Sequence, residues 1–224
     1  MIRFAQEGLP YIKSSLFISI LSLAALALVL GFKGNSTFVY LFGGITFIAI
    51  LFTMFFLFFF RDPERNIPEG DNIFVSPADG KVILIKKIYD NKYLNENIIE
   101  ISIFMSPLDV HVNRSPCDGV IELVEYNSGR YLAAYREDAS FSNENIVMLI
   151  RGPNYRILVR QVAGFIARRA VCRLKVGDFV KRGERYGIIK FGSRLDVYLP
   201  EDTIVKVRNG DKVKAGETIL GGLL

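Results

Sequence analysis

Gly177-Asp178-Phe179-Val180-Lys181-Arg182-Gly183-Glu184 recurs 33 residues later as Gly210-Asp211-Lys212-Val213-Lys214-Ala215-Gly216-Glu217, with six of the eight positions identical. Each copy sets a Val-Lys pair of strand character between Gly-Asp and Gly-Glu turn signals, a unit too small to bury a core alone. Repeats of this kind imply related halves that complete one another. The echo therefore predicts two hairpin halves closing one small β barrel.

The chain upstream agrees. Turn signals at Pro77-Ala78-Asp79-Gly80, Asp118-Gly119, Asn127-Ser128-Gly129, Gly152-Pro153 and Asn209-Gly210-Asp211 separate short Ile- and Val-rich runs. The runs Lys81–Ile88, Ile98–Met105, Val120–Glu125, Ile146–Arg151 and Arg156–Ala163 have strand length and composition. One short helix is predicted over Tyr131–Glu137. The fold class expected is mostly β, a small barrel or sandwich of half-barrels resembling biotinyl- and lipoyl-carrier domains. Carrier domains present a lysine at the tip of the hairpin between their halves. The corresponding stretch here, Lys190-Phe191-Gly192-Ser193-Arg194-Leu195-Asp196, lacks the apolar-Lys-apolar tip and centres on Gly192-Ser193. A non-enzymatic carrier is thus the alternative reading, with Lys190 as its attachment site.

The high apolar fraction, 50%, and mean hydropathy of +0.28 come from the first 60 residues. Leu16–Phe32 and Ser36–Phe60 hold no charged residue, and about 20 apolar residues cross a bilayer. A cleaved signal peptide is the alternative for the first run, but a second run follows within a few residues. The expectation is an α-helical transmembrane hairpin over residues 1–60 and a catalytic β domain over 61–224. Arg3 and Lys13 precede the hairpin, Arg61 and Arg65 follow it, and Lys33 alone lies in the connector. Positive flanks stay inside, so the β domain is expected at the cell membrane, facing the cytoplasm. Cys117 and Cys172 lack any paired or metal spacing and read as free thiols of a reducing compartment. The net charge is +5, and the first 60 residues hold three basic residues and one acidic, leaving +3. That is too little to indicate nucleic acid.

His111 is the only histidine, which excludes a histidine-rich metal site and leaves no spare for a Ser-His-Asp hydrolase. It lies in Ser106-Pro107-Leu108-Asp109-Val110-His111-Val112-Asn113-Arg114-Ser115-Pro116, a polar turn held between prolines directly after an apolar strand. Asp79 reads equally as a turn former before Gly80. Gly192-Ser193 alone is ordinary loop sequence, yet it permits one unusual reaction. A serine hydroxyl can attack the preceding carbonyl if the peptide is held bent, and glycine permits such backbone angles. Elimination of the resulting ester and hydrolysis would leave a pyruvoyl ketone at a new N-terminus. Such a ketone can condense with a substrate amine as a Schiff base and accept the electrons released by decarboxylation, as pyridoxal phosphate does elsewhere.

Taken together, Phe60-Arg61-Asp62-Pro63, Ser76–Gly80, Phe104–Pro107, Asp109–Arg114, Arg160–Gly164, Ala167–Arg169 and Phe191–Arg194 make the chain resemble the phosphatidylserine decarboxylase family. The likeness is to its short form, which includes archaetidylserine decarboxylases. The matches run in order across residues 60–200. The resemblance implies cleavage between Gly192 and Ser193 into a β chain (1–192) and an α chain (193–224) that stay associated. It also implies a pyruvoyl group formed from Ser193 as the cofactor, with no metal, and a serine-headed phospholipid substrate yielding the ethanolamine lipid and CO2. Asp79 would assist cleavage and His111 decarboxylation, and a homodimer is the family-level expectation. Longer members carry a second histidine where this chain has Arg114, which cannot act as a base. Either His111 serves both steps, or Asp79 acts on Ser193. Arg160, Arg168, Arg169 and Asn143 are candidates for binding the lipid head group. A soluble pyruvoyl amino-acid decarboxylase is a third reading, which the membrane hairpin disfavours.

Overall fold

The computed structural model describes residues 3–32, 34–130, 142–164, 169–190 and 193–224. The helix expected over Tyr131–Glu137 lies outside these residues. The chain divides into two compact units, Met1–Pro63 and Glu64–Leu224.

In the first unit, α1 (Leu9–Gly31) and α2 (Ser36–Phe59) form a hairpin. Asn35 caps α2 by accepting the Thr37 N–H at 3.0 Å, as an N-cap residue does. Helix α2 spans 24 residues, about 36 Å at 1.5 Å per residue, and ends just before Arg61-Asp62-Pro63, where proline disfavours helix. Most large side chains on both helices point outward, including Phe17, Leu21, Phe47 and Phe52. The seam between them is polar and small: Ser19 and Thr53 share a hydroxyl hydrogen bond at 3.1 Å. An apolar outside with a small-residue seam suits helices solvated by lipid.

The second unit is built from fourteen strands among the described residues: β1 (Ile73–Val75), β2 (Gly80–Asp90), β3 (Glu96–Met105), β4 (Val112–Arg114), β5 (Gly119–Asn127), β6 (Asn145–Arg151), β7 (Arg156–Ala163), β8 (Ala170–Cys172), β9 (Phe179–Val180), β10 (Arg185–Ile189), β11 (Ser193–Pro200), β12 (Ile204–Val205), β13 (Lys212–Val213) and β14 (Ile219–Gly222). Eight of them form a curled half-barrel sheet in the order β13-β2-β3-β11-β7-β6-β5-β9. Two three-stranded sheets, β1-β14-β12 and β4-β10-β8, complete it. Odd-numbered residues of β11 (Leu195, Val197, Leu199) join the main core with Ile101, Ile103, Met105, Val159 and Ile189. Tyr198 packs on the other face with Leu94, Ile98, Val147 and Leu158, as strand alternation requires.

The echo between Gly177–Glu184 and Gly210–Glu217 is part of a larger duplication. Ser76-Pro77-Ala78-Asp79-Gly80 matches Ser115-Pro116-Cys117-Asp118-Gly119, and the two copies bond alike. Ser76 Oγ donates to the Ala78 carbonyl and Ser115 Oγ to the Cys117 carbonyl, each at 2.7 Å. Asp79 accepts the Ala215 N–H, and Asp118 accepts the Arg182 N–H. Gly177 and Gly210 take φ of +94° and +98°, and Gly183 and Gly216 take +74° and +76°, angles that favour glycine. The strands follow suit: β13-β2-β3-β11 mirrors β9-β5-β6-β7, and β1-β14-β12 mirrors β4-β10-β8. One half is continuous, β4 through β10. The other is interrupted, β1–β3 plus β11–β14.

The interruption corrects one expectation. Residues 193–196 are not a hairpin tip between the halves but the start of a strand in the large sheet. Strand β10 ends at Ile189 in one sheet and β11 begins at Ser193 in another, because Leu195, Val197 and Leu199 belong in the central core.

Candidate active site

Ser193 opens β11 in the middle of the large sheet, paired with Met105 at the end of β3 and with Ala163 at the end of β7. It is fully buried. Its hydroxyl donates to Met105 Sδ at 3.3 Å, and thioether sulfur is a weak acceptor. Asn113 Nδ2 approaches the same sulfur at 3.8 Å. Gln161 Nε2 in turn donates to Asn113 Oδ1 at 2.8 Å, which fixes the direction of the Asn113 amide. Gln161 Oε1 is buried and has no hydrogen-bond partner among the described residues, an arrangement that costs about 1–3 kcal/mol when left unanswered.

His111 is buried in the turn before β4. Its Nδ1 lies 3.0 Å from the Asp109 carbonyl, which can only accept, so Nδ1 carries a proton. Nε2 is therefore the nitrogen that exchanges a proton when the ring is neutral. The His111 carbonyl accepts the Ile189 N–H at 3.3 Å, placing the histidine backbone four residues ahead of Ser193. The turn itself is braced by Asp109, whose Oδ2 accepts the Ser106 N–H at 2.8 Å.

Asp79 ends the turn into β2, and Lys81 and Arg194 both pair with Phe104 of β3. The Asp79 carboxylate is committed elsewhere than Ser193. Arg65 Nη2 forks across Oδ1 and Oδ2 at 2.9 and 2.8 Å, and the Ala215 N–H donates to Oδ1 at 2.8 Å. A Cβ on Gly80 would strike the Phe104 carbonyl, so the strand end that Asp79 braces is tightly seated.

Arg114 points away. Its Nη1 donates to the Gly183 carbonyl at 2.9 Å. Asn113 is the β4 side chain turned toward Met105 and Ser193. Asn143 Nδ2 donates to the carbonyl of Ala163 at 2.8 Å, the β7 residue paired with Ser193. Arg169 is exposed, and its carbonyl accepts the Lys190 N–H at 3.3 Å. Arg160 lies on the opposite sheet face, donating to Tyr198 Oη at 2.8 Å. Gly192 and Arg168 lie outside the described residues. Sequence reading gave no role to Met105, Asn113 or Gln161, although each falls inside a stretch that carried the family likeness. An amide or thioether has no titration to announce it. Cys117 and Cys172 are free, and burial pushes both thiols above their ordinary value.

A family model described as phosphatidylserine decarboxylase matches residues 52–221. The chain is similar to the phosphatidylserine decarboxylase proenzymes of Desulfotalea psychrophila (41% identical, covering 98% of this chain and 96% of the relative) and Amoebophilus asiaticus (42%, 98% and 96%). It is likewise similar to that of Geobacter metallireducens (44%, 97% and 95%). A buried serine at a strand end, a single buried histidine and these likenesses define a carboxy-lyase. The chain belongs to the phosphatidylserine decarboxylase family.

Proposed function

We propose that this chain decarboxylates a serine-headed phospholipid, phosphatidylserine or its isoprenoid-ether counterpart, after cutting itself between Gly192 and Ser193. The observation that carries the reading is the Ser193 hydroxyl, buried at the head of a central strand and, among the described residues, bonded to a sulfur. In cleavage, Ser193 Oγ attacks the Gly192 carbonyl and the amide becomes an ester. Elimination across Cα–Cβ of residue 193 releases the Gly192 carboxylate, and hydrolysis of the dehydro residue releases ammonia and leaves the pyruvoyl.

Position 193 fits such a group. Ladder bonds to β3 and β7 hold its backbone from both flanks, and the hydroxyl given up had only a weak acceptor to lose. The pyruvoyl supplies an electron sink for the bond to the departing carboxylate. The rest falls to the chain. His111 Nε2 returns a proton to the substrate carbon once CO2 has left. Asn113, oriented by Gln161, offers an amide donor beside Ser193. Asp79 supports cleavage as a brace on the start of β2, since Arg65 and Ala215 occupy its oxygens. Arg169, whose carbonyl accepts the Lys190 N–H, and Asn143, on the carbonyl of Ala163 beside Ser193, are the head-group candidates of this reading, since Arg160 turns to the opposite sheet face. Residues 1–60 anchor the catalytic unit in the membrane, with Arg3, Lys13, Arg61 and Arg65 on the cytoplasmic side.

Purified protein on a denaturing gel, with intact mass, tests the reading. Fragments 1–192 and 193–224, with a pyruvoyl mass at position 193, are expected, and Ser193→Ala should remain one inactive chain. An unsplit wild-type chain with an unmodified serine, inactive on vesicles of either serine lipid, would sink the proposal.

A further inference from the structure

Residues 194, 196 and 198 of β11 face away from Ser193 and carry polar groups into a closed layer. Arg194 is buried, as are Glu100, Ser102 and Asp196. Arg194 Nε donates to Asp196 Oδ1 at 2.6 Å, and its Nη2 donates to Ser102 Oγ at 2.7 Å and to Glu100 Oε1 at 3.2 Å. Lys86 joins Glu100 at 3.3 Å from the next strand. On the other flank Arg160 Nη1 donates to Tyr198 Oη. Arg194, Asp196 and Tyr198 fall in the 193–224 fragment, while Lys86, Glu100, Ser102 and Arg160 fall in 1–192. The polar layer therefore bridges the proposed cut from both neighbouring strands.

We infer that Arg194 is a positioning residue that locks β11 in register once its tether to β10 has been severed. The inference rests on the proposed cleavage at Gly192–Ser193. In an uncut chain the peptide bond to Gly192 tethers position 193. A cut chain has a free strand end at the reacting position, and strand ends fray. A slip of one residue would turn every side chain to the other face. It would push the Arg194 guanidinium into the Leu195–Val197–Leu199 core and carry position 193 out of the site. Buried ion pairs add little net stability against apolar replacements. Their well-attested use is to specify register, and this cluster sits one residue from the group whose placement matters.

The test compares wild type with Arg194→Met, Arg194→Lys and the milder Ser102→Ala and Tyr198→Phe. All are expected to split as the wild type does. Arg194→Met should lose roughly tenfold to hundredfold in kcat, matching the loss of charged hydrogen bonds, with KM within about twofold. Amide exchange should accelerate at residues 194–196 while strands β5 and β6 keep their protection. Arg194→Lys should recover part of the loss, and Ser102→Ala and Tyr198→Phe should show smaller losses of the same pattern. A split Arg194→Met enzyme with wild-type kcat and unchanged exchange overturns the proposal. Should Arg194→Met fail to fold, wild-type kcat and exchange in both Ser102→Ala and Tyr198→Phe overturn it equally. A wild-type chain that never splits overturns the cleavage reading beneath it as well.

Discussion

Replacing Asp79 by Asn separates a base from a brace. The Arg65–Asp79 pair is a two-pronged fork between side chains only 7% and 14% exposed, and Glu217 stands 3.6 Å from the same guanidinium. Removing one partner of a buried pair costs about 3–5 kcal/mol when the other charge is stranded. Here Glu217 remains, and the new amide oxygen can still accept the Ala215 N–H, so about 2–3 kcal/mol is the expected loss. For a unit of this size that lowers Tm by roughly 5–10 °C. Arg65→Met should cost a similar amount, because it strands the Asp79 carboxylate. The double variant should cost less than the sum of the two by at least about 1 kcal/mol, the coupling of neighbours. Cleavage, followed as the split fraction on a gel over time, should slow in both single variants and partly recover in the double. Asp79→Asn that keeps the wild-type Tm but never splits, beside Arg65→Met that splits at the normal rate, would refute the brace and make Asp79 the base.

Three further outcomes follow from the site. His111→Gln should lose at least about a hundredfold in turnover, the range of a single general acid or base; normal turnover in the split enzyme would remove His111 from the reaction. Asn113→Leu should slow cleavage roughly tenfold while leaving Tm within a few degrees, since it deletes an amide donor worth about 1–2 kcal/mol; cleavage at the wild-type rate would show that the amide is idle. Burial, with Asp196 adding to it, raises Glu100 above its ordinary value of 4.5 against the pull of Lys86 and Arg194. A raised folded-state value means that the stability contributed is fully present below about pH 4.5 and is lost as pH rises through the folded-state value. The Tm of wild type relative to Glu100→Gln should therefore fall between pH 4 and neutrality, and a difference that stays flat with pH would contradict this.

Much of this was legible in the sequence because it is carried by local chemistry. Turn glycines with left-handed φ repeat at fixed spacing, and the strands from Gly80 to Ala163 announce themselves by Ile and Val. Two uncharged apolar runs declare the helices. What stayed hidden depends on which face of a strand a residue occupies once strands distant in sequence are brought side by side. Arg160 read as a phosphate ligand because the sequence could not show that it alternates away from Ser193 toward Tyr198. Nothing in the sequence sets Asn113 apart from Arg114, because only the pairing of β4 with β10 turns one toward Met105 and the other toward Gly183. The second copy of Ser-Pro-x-Asp-Gly stood in plain view, but its meaning lies in the hydrogen bonds the two copies share.

The duplication also bears on whether the proposed cut at Ser193 would be tolerable. In the continuous half, β6 and β7 form a tight hairpin, with Arg151 opposite Arg156 and the Gly152 N–H bonded to the Tyr155 carbonyl. The matching strands of the other half are β3 and β11, where Phe104 lies opposite Arg194 and Met105 opposite Ser193. Ser193 thus occupies the place that Tyr155 holds at a hairpin turn, but here no turn closes it. Residues 106–192 run through the whole second half instead. Strands β3 and β11 are already paired as separate segments, so breaking the chain ahead of Ser193 removes no rung of the ladder. What is lost is only a tether, and the loop-closure entropy of a tether grows slowly with its length. Residues 1–192 and 193–224 produced as separate chains in one cell should therefore associate and copurify, inactive on the proposed mechanism because no self-cleavage forms a pyruvoyl, but with strands β3 and β7 protected from exchange as in the intact protein. Fragments that fail to associate, although each is present in soluble or membrane-bound form, would mean that the tether and not the ladder holds β11 in place.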